Sequence, residues 1–298
     1  MLVEFSVANY RSILEEQTLS LVASAGKELR DTHVCVSGAP ATPDLLRSAV
    51  IYGANASGKS NLLIALDFAR AFVRDSARKG QPGEPIDHHP FAVELEDGQR
   101  PPATVFRFVF VQKKVRYLYA FAFDREQVTG EWLTAYPEGR PQMWFSREVD
   151  ADRSTTGWTF GPNLRGQKKV WQEATRPNAL LLSTAAQLNA GQMLPVYEWF
   201  STTLRTIKPF ALVHEGFTAK QCGTDESWRD QVQTFLARSD LGITALQVDC
   251  RQFDPASLDA SMPESLRTYL SESMKGQEVA DVRLTHRTKS GKQLTLDL

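Results

Sequence analysis

The sequence has few cysteines and almost no net charge. Its three cysteines among 298 residues are far apart and odd in number, which excludes a disulfide framework and matches no zinc-binding spacing. We therefore expect a reducing compartment, with Cys35, Cys222 and Cys250 as small buried side chains. Lys and Arg total 34 against 35 Asp and Glu, a formal net charge of −1, so any contact with nucleic acid would need a local basic patch.

Long apolar runs are also missing. No stretch reaches the roughly 18 consecutive apolar residues that a membrane helix requires. Glu4 and Arg11 interrupt the segment that would form the apolar part of a signal peptide. The sequence therefore predicts no membrane contact and a cytoplasmic protein. The remaining composition, 42% hydrophobic and 23% charged, is that of a globular protein.

Hydrophobic periodicity predicts an α/β chain. Residues 2–9 and 17–23 are predicted as short strands, the first from its alternation. Residues 48–52 form an apolar run typical of a buried strand, and residues 60–74 have the wide apolar face of a buried helix. An antiparallel β-meander follows, because four aromatic and β-branched segments are separated by turn residues. These segments are 104–111, 115–123, 127–135 and 142–149, with a further strand at 158–160. Helices are predicted within 170–205, 224–239 and 266–274, and a β-hairpin at 279–298.

The strongest motif runs from Gly53 to Ser60, in the order Gly-Ala-Asn-Ala-Ser-Gly-Lys-Ser. It matches the phosphate-binding P-loop, and it follows a predicted strand and opens a predicted helix. The two glycines allow backbone torsions that a Cβ would block, and the N–H groups of the loop and helix start attract phosphate. In this motif the lysine reaches the β- and γ-phosphates and the final serine ligates Mg²⁺. The structural alternative is a glycine-rich turn with an incidental lysine.

Asn55 and the N-terminal segment carry a resemblance to a family. Phe5–Ser12 resembles the opening strand of the ATP-binding cassette group, which includes RecF and the structural-maintenance-of-chromosomes proteins. Glu16–Ala23 resembles one subgroup, the bacterial AAA-family ATPases of the RecF and overcoming-lysogenization-defect type, which are often found in phage-defence and restriction loci. Residues 1–23 and 48–66 are the specific parts of this resemblance.

The resemblance implies an α/β P-loop fold of the ATP-binding cassette type, with the β-meander beside the P-loop helix and a helical lobe. ATP and Mg²⁺ are the implied cofactors. Arg11 should lie beside the phosphates, although a solvated arginine is the alternative. Gln187 resembles the Q-loop glutamine that binds Mg²⁺ and the attacking water, although a polar residue at a helix end fits equally well. The nucleotide-binding candidates are Arg11, Gly53, Asn55, Ala56, Ser57, Gly58, Lys59, Ser60 and Asn61; Lys59 and Gln187 are the catalytic candidates, and Ser60 and Gln187 the metal ligands.

Three parts of such a site are missing from the sequence. There is no Walker B strand ending in Asp-Glu, no Ser-Gly signature sequence and no convincing switch histidine; Asp225-Glu226 follows no apolar strand and is rejected. In the resembled family these parts follow a hairpin like that at residues 282–298. We therefore expect an N-terminal ATPase lobe at 1–187, a helical lobe at 188–275, and a hairpin at 276–298 that leads into an absent C-terminal half.

Several functions remain open. The first is an ATPase that forms a homodimer around ATP and drives an effector or nuclease partner, in phage defence or DNA repair. The second is a nucleotide-gated interaction module without turnover, favoured by the missing carboxylates. The third is DNA contact through basic residues at Lys113-Lys114, Arg165 and Lys168-Lys169. A GTPase lacks support because no Asn-Lys-x-Asp motif occurs, and a small nucleoside kinase because of the meander.

Overall fold

The chain divides into two units, Met1–Thr206 and Ile207–Leu298. The computed structural model describes residues 1–55, 57–92, 102–150, 152–153, 155–207, 215–239, 242–258, 262–287 and 292–297. None of the helices in these ranges has the length and apolar content that crossing a membrane requires.

The first unit is built on a seven-stranded sheet whose described strand pairs are all antiparallel. The order across the sheet is β2-β1-β5-β6-β7-β8-β9, and β3 and β4 form a separate pair. The strands are β1 (Leu2–Ala8), β2 (Gln17–Ser20), β3 (Val34–Cys35), β4 (Leu45–Leu46), β5 (Thr104–Gln112), β6 (Val115–Phe123), β7 (Val128–Tyr136), β8 (Gln142–Val149) and β9 (Thr156–Phe160). The structure confirms the predicted meander and the strand after it.

All but the short first helix of this unit pack against one face of the sheet, where their buried side chains share one hydrophobic core. They are α1 (Arg30–His33), α2 (Lys59–Lys79), α3 (Lys168–Ala174), α4 (Leu181–Gln187) and α5 (Leu194–Glu198), which continues as a π-helical turn at Trp199–Thr203. On α2, Phe68 and Phe72 lie 5.5 Å and 5.3 Å from the ring of Phe123 on β6. This aromatic layer fixes α2 against the meander, as predicted, and so determines where the start of α2 lies.

A buried carboxylate holds the start of α4. Glu131 on β7 is fully buried and accepts hydrogen bonds from the backbone N–H groups of Leu181 and Leu182 at 2.6 Å and 3.0 Å, and from the Tyr119 hydroxyl at 2.9 Å. Its cross-strand neighbour Arg147 is also buried and donates to the carbonyl groups that precede α4. Each charge therefore has an opposite charge or hydrogen-bond partners, as burial requires.

The predicted buried strand at residues 48–52 is wrong. Val50 is 70% exposed and Tyr52 is 87% exposed, and no described strand pairs with this segment. An apolar run becomes a strand only when a neighbouring backbone edge accepts its hydrogen bonds. The sheet beside α2 therefore includes β1 and β2 but not residues 48–52.

In its described residues, the second unit contains a three-stranded antiparallel sheet and three α-helices. The sheet order is β10-β11-β12. The elements are α6 (Glu215–Thr224), α7 (Glu226–Arg238), β10 (Ile243–Gln252), α8 (Glu264–Ser273), β11 (Glu278–Arg287) and β12 (Gln293–Asp297). A small core of Ala219, Cys222, Leu246 and Val248 joins α6 to the sheet. The predicted helices at 224–239 and 266–274 and the terminal hairpin are confirmed.

The division into units differs from the predicted domains. The π-helical turn after α5 belongs to the first unit, because Trp199 is buried there and stacks 4.1 Å from Phe110. In the second unit β10 pairs along the whole of β11, so the predicted helical lobe at 188–275 and hairpin at 276–298 share one sheet. The boundary therefore lies at residue 206 rather than 187.

Candidate functional site

The glycine-rich loop at residues 53–58 leads directly into the first turn of α2. Gly58 is the N-cap residue with a φ of 92°, a conformation that residues with a Cβ rarely adopt. A Cβ on Gly53 would lie 2.6 Å from Ser57 Oγ, a contact that rotation of the Ser57 side chain would relieve. Asn55 and Ser57 are exposed, and Ala56 lies outside the described residues. Of the two predicted glycines, Gly58 thus occupies a position that favours glycine.

Lys59 is the first residue of α2, and its side chain folds back over the loop. Its Nζ donates hydrogen bonds to the carbonyl oxygens of Gly53 at 2.7 Å and Ala54 at 2.6 Å. Both bonds lie at the surface. Because the ammonium can exchange surface carbonyl partners for other oxygens at little cost, the lysine is placed to bind an anion held by the loop.

The first turn of α2 is a second source of positive potential. No side chain caps it, and the first N–H groups of any helix have no partner within that helix. The helix dipole adds a partial positive charge at the same end. Ser60 is exposed and Asn61 is half-buried. A phosphate group, which accepts several hydrogen bonds and carries negative charge, matches this arrangement.

The turn between β1 and β2 contacts the start of α2 through Ser12. The Asn61 Nδ2 donates to Ser12 Oγ at 2.7 Å, and a Cβ on Gly58 would lie 3.3 Å from the same oxygen. Buried Tyr10 fixes this turn, because its ring packs 5.7 Å from Phe68 on α2. Sequence reasoning gave Ser12 no role. Its place within the Asn-Tyr-Arg-Ser segment was the signal that pointed to it.

Arg11 occupies the corner of the same turn. Its φ is 51°, and its guanidinium carbon lies 5.8 Å from the centre of the Tyr10 ring. Burial raises the pKa of the Tyr10 hydroxyl, and a hydrogen bond from Arg11 partly opposes that shift. Arg11 is therefore next in sequence to a residue that contacts the loop, while its own side chain contacts Tyr10. The contact with phosphate remains a prediction.

Gln187 is the last residue of α4, and the structure does not bring it to the loop. Its side chain hydrogen-bonds the Tyr197 hydroxyl, which donates to the carbonyl oxygen of Arg74 at 2.9 Å. Arg74 lies 14 residues beyond Ser60 on α2, which is about 21 Å along a helix that rises 1.5 Å per residue. The predicted magnesium site shared by Ser60 and Gln187 therefore does not form in this arrangement.

A cavity of about 310 Å³ adjoins the loop. Its polar lining comes from Ser12, Gln17, Ser57, Gly58 and Lys59, and its apolar lining from Ile13, Leu14, Ile51, Tyr52 and Leu62. Among the residues that the structure describes, no carboxylate lines this cavity, and no three His, Cys, Asp or Glu side chains cluster as a metal site. The lining therefore suits a phosphate, and the exposed Ser60 hydroxyl at the start of α2 is the predicted magnesium ligand.

The rejected Asp225-Glu226 pair is confirmed not to end a strand. Asp225 accepts a hydrogen bond from the Trp228 backbone N–H at 3.1 Å and is the N-cap of α7. The basic residues considered for DNA also have local partners. Lys113 pairs with Glu198 at 2.8 Å, and Lys168 donates to a backbone carbonyl at 3.1 Å. These contacts are typical of surface turns and give no support to a DNA-binding patch.

Comparison with known families adds one finding. Residues 48–189, just under half of the chain, match the family described as "AAA domain, putative AbiEii toxin, Type IV TA system". The matched segment contains the glycine-rich loop, α2, the meander from β5 to β9, and α4. The matched segment is similar to an AAA-type P-loop ATPase domain. The match does not distinguish the ATP-binding cassette, RecF and overcoming-lysogenization-defect groups to which the sequence bears a resemblance. No match was found among the curated proteins.

Proposed function

We propose that residues 53–60 bind the phosphates of ATP and that the chain is the nucleotide-binding part of an AAA-type P-loop ATPase. One observation carries this proposal: the glycine-dependent loop, the Lys59 ammonium and the uncapped start of α2 all lie together. The N–H groups of the first turn would donate to phosphate oxygens, and Lys59 would exchange its carbonyl partners for the β- and γ-phosphates. The family match over the same residues supports it.

Magnesium enters the proposal through Ser60 alone. A bound Mg²⁺ neutralises phosphate charge and orients the terminal phosphates, and the exposed Ser60 hydroxyl is available to hold it. Since no carboxylate lines the cavity within the described residues, these residues offer no carboxylate beside the loop to polarise a water molecule. We therefore propose binding of ATP without turnover by this chain alone.

The finer parts of the proposal rest on family resemblance, which does not determine function by itself. They are that the whole protein dimerises around ATP and drives an effector or nuclease in phage defence or DNA repair. The matched family's description as a toxin of a toxin–antitoxin system agrees with a defence role. A nucleotide-gated interaction module is the second candidate, favoured by the absence of a carboxylate from the described cavity lining.

Calorimetric titration with Mg-ATP tests the binding site. Lys59→Ala should weaken ATP binding by about 100-fold or more, because it removes the point charge on the β- and γ-phosphates. The control is Lys169→Ala, which removes an exposed lysine from α3 and should leave the affinity unchanged. Equal affinity of the wild-type and Lys59→Ala chains would contradict the phosphate site.

Phosphate release separates the two candidate functions for the chain itself. Wild-type protein should release no more phosphate from Mg-ATP than Lys59→Ala does, and light scattering should detect no ATP-driven dimer. Loss of the groups that position water and neutralise charge costs orders of magnitude in rate. Turnover that is present in the wild type and absent from Lys59→Ala would show that the chain supplies a catalytic carboxylate.

A further inference from the structure

The two edges of the seven-stranded sheet differ in how they are covered. The chain that continues from β2 is covered by β4, because Val22 bridges to Leu45 and the Leu46 N–H donates to the Leu21 carbonyl at 2.7 Å. At the other edge, β9 pairs with β8 on its inner side, and no strand of the described residues pairs with its outer side. An uncovered strand edge is a row of free donors and acceptors on which another strand can add.

The register of β8 and β9 shows which backbone groups of β9 face outward. The Gly161 N–H donates to the Trp144 carbonyl at 2.8 Å, and the Asp150 N–H donates to the Thr155 carbonyl at 3.1 Å. In an antiparallel ladder, hydrogen-bonded pairs alternate with pairs that exchange no hydrogen bonds. The odd-numbered residues from 155 to 161 therefore direct their backbone groups toward β8. The even-numbered residues between them direct theirs away from the sheet; they are Thr156, Trp158 and Phe160.

The sequence of β9 lacks the devices that usually prevent edge pairing. Its five residues, Thr-Gly-Trp-Thr-Phe, include no charged residue and no proline, whereas natural edge strands are often protected by one or the other. Pro162 follows shortly after the strand and limits the length of any added ladder, because proline has no N–H. The outer side of β9 is therefore a short edge that is open to pairing.

We propose that this edge pairs with the same edge of a second copy of the chain, in an antiparallel dimer that forms without ATP. Such an edge is self-complementary about its central residue. Trp158 would oppose its own counterpart, and Thr156 would oppose Phe160 of the second copy. Each of these pairs would exchange two hydrogen bonds, which satisfies the outward groups of β9 without using any residue of the phosphate site.

The side chains of the edge favour a second copy over an unrelated extended segment. Trp158 and Phe160 have ring centres 6.2 Å apart and pack at the rim of the main core, both half-buried. Side chains of paired residues lie on the same face of a sheet, so the aromatic residues of the two copies would meet across the new pair. The two hydrophobic cores would then be continuous, and the half-exposed rings would lose contact with water.

Sedimentation equilibrium of the full chain without nucleotide tests the dimer. The mass should rise from one chain toward two between ~1 and ~200 µM, because an interface of this small extent is weak. Thr156→Pro removes an outward N–H but no donor to β8. It should weaken the dimer by about 10-fold or more, because two pairs each lose a donor. The matched control is Thr18→Pro, which removes an outward N–H from exposed β2 at the other edge of the sheet and should leave the dimer unchanged.

Hydrogen exchange of alternate amides is a second readout that needs no variant. The amides of Thr156, Trp158 and Phe160 should exchange more slowly at high than at low protein concentration, whereas those of Gly157 and Thr159 already donate to β8 and should change little. Slower exchange at the outward amides, together with a weaker Thr156→Pro dimer, supports the proposal. A chain that stays monomeric, or a Thr156→Pro dimer of unchanged affinity, would overturn it, whether or not the chain binds ATP.

Discussion

Two helices of the first unit begin in opposite surroundings. The start of α4 is buried, and its first N–H groups donate to the carboxylate of Glu131. The start of α2 is at the surface, has no side-chain cap, and lies under Lys59. Both helix starts attract negative charge for the same reason, the dipole and the unbonded N–H groups. The protein supplies that charge at α4, and in the proposed function a phosphate supplies it at α2.

This difference shows how one physical feature serves structure in one place and binding in another. At α4 the carboxylate is fixed between two strands and a helix, so removing it affects folding. At α2 the glycine torsions and the folded-back lysine keep the end accessible, so removing them affects binding. Substitutions at the start of α4 should therefore mainly lower stability, and substitutions at the start of α2 should mainly lower ATP affinity.

The largest effect on stability is expected at α4. Glu131→Ala should lower the free energy of unfolding by about 3–5 kcal/mol, because it leaves Arg147 buried without its opposite charge and two N–H groups without an acceptor. Urea denaturation measures this. Glu148→Ala removes an exposed carboxylate that accepts only from Trp132, and it should cost less than about 1 kcal/mol. Equal costs for the two variants would show that Glu131 does not hold α4.

A smaller effect is expected from the backbone of the loop. Gly58→Ala should cost about 1–2 kcal/mol of stability because φ at this position is in the left-handed region, and it should also weaken ATP. Gly83→Ala carries the same strain in a turn with nothing within 4 Å, so it should cost similar stability without weakening ATP. If both variants bound ATP normally, the loop torsion would not matter for the phosphate site.

The other end of α2 should respond to pH. Burial by itself would raise the pKa of the Asp75 carboxyl, but hydrogen bonds from Arg74, Lys79 and Arg78 outweigh it and hold the pKa well below its usual range. A lowered folded-state pKa stabilises the protein above the unfolded pKa of about 3.9, and this stabilisation is lost progressively as pH falls from that value toward the folded-state pKa. Between pH 6 and pH 2 the wild type should lose about 1–2 kcal/mol more than Asp75→Asn. Parallel losses in the two proteins would contradict this.

The smallest effect is expected at Arg11. Arg11→Ala should weaken ATP by about 3–10-fold and AMP by less, because charge-assisted bonds to the terminal phosphates are lost. The effect is small because the guanidinium already contacts Tyr10 and must leave it to reach a phosphate. Competition titrations with the two nucleotides measure the difference. Equal losses for ATP and AMP would make Arg11 a structural residue of the turn.

The sequence predicted the parts of the fold that depend on local pattern. The meander has short turns, and its alternating aromatic residues, such as Phe106 and Phe108 on β5, specify which face is buried. The loop was predicted because its glycine spacing encodes the torsions themselves. The strand at 243–252 was missed, although Leu246, Val248 and Cys250 alternate along it, because the whole region was taken to be helical.

The remaining features depend on partners distant in the sequence. Residues 48–52 have the composition of a strand, but strand formation requires a paired edge that a linear pattern does not reveal. Gln187 was assigned to Mg²⁺ and the attacking water by resemblance, and its position at Tyr197 follows from how α4 packs on α2. Ser12 contacts the start of α2 only because Tyr10 fixes the turn. No spacing rule predicts such contacts.

Hydrogen–deuterium exchange with and without saturating Mg-ATP tests the central comparison most directly. The account predicts that ATP slows exchange of the backbone amides at residues 57–61, where the N–H groups gain phosphate acceptors. The amides of Leu181 and Leu182 should exchange slowly in both conditions, because Glu131 already accepts from them. Exchange at residues 57–61 that is unchanged under saturating ATP would contradict the account.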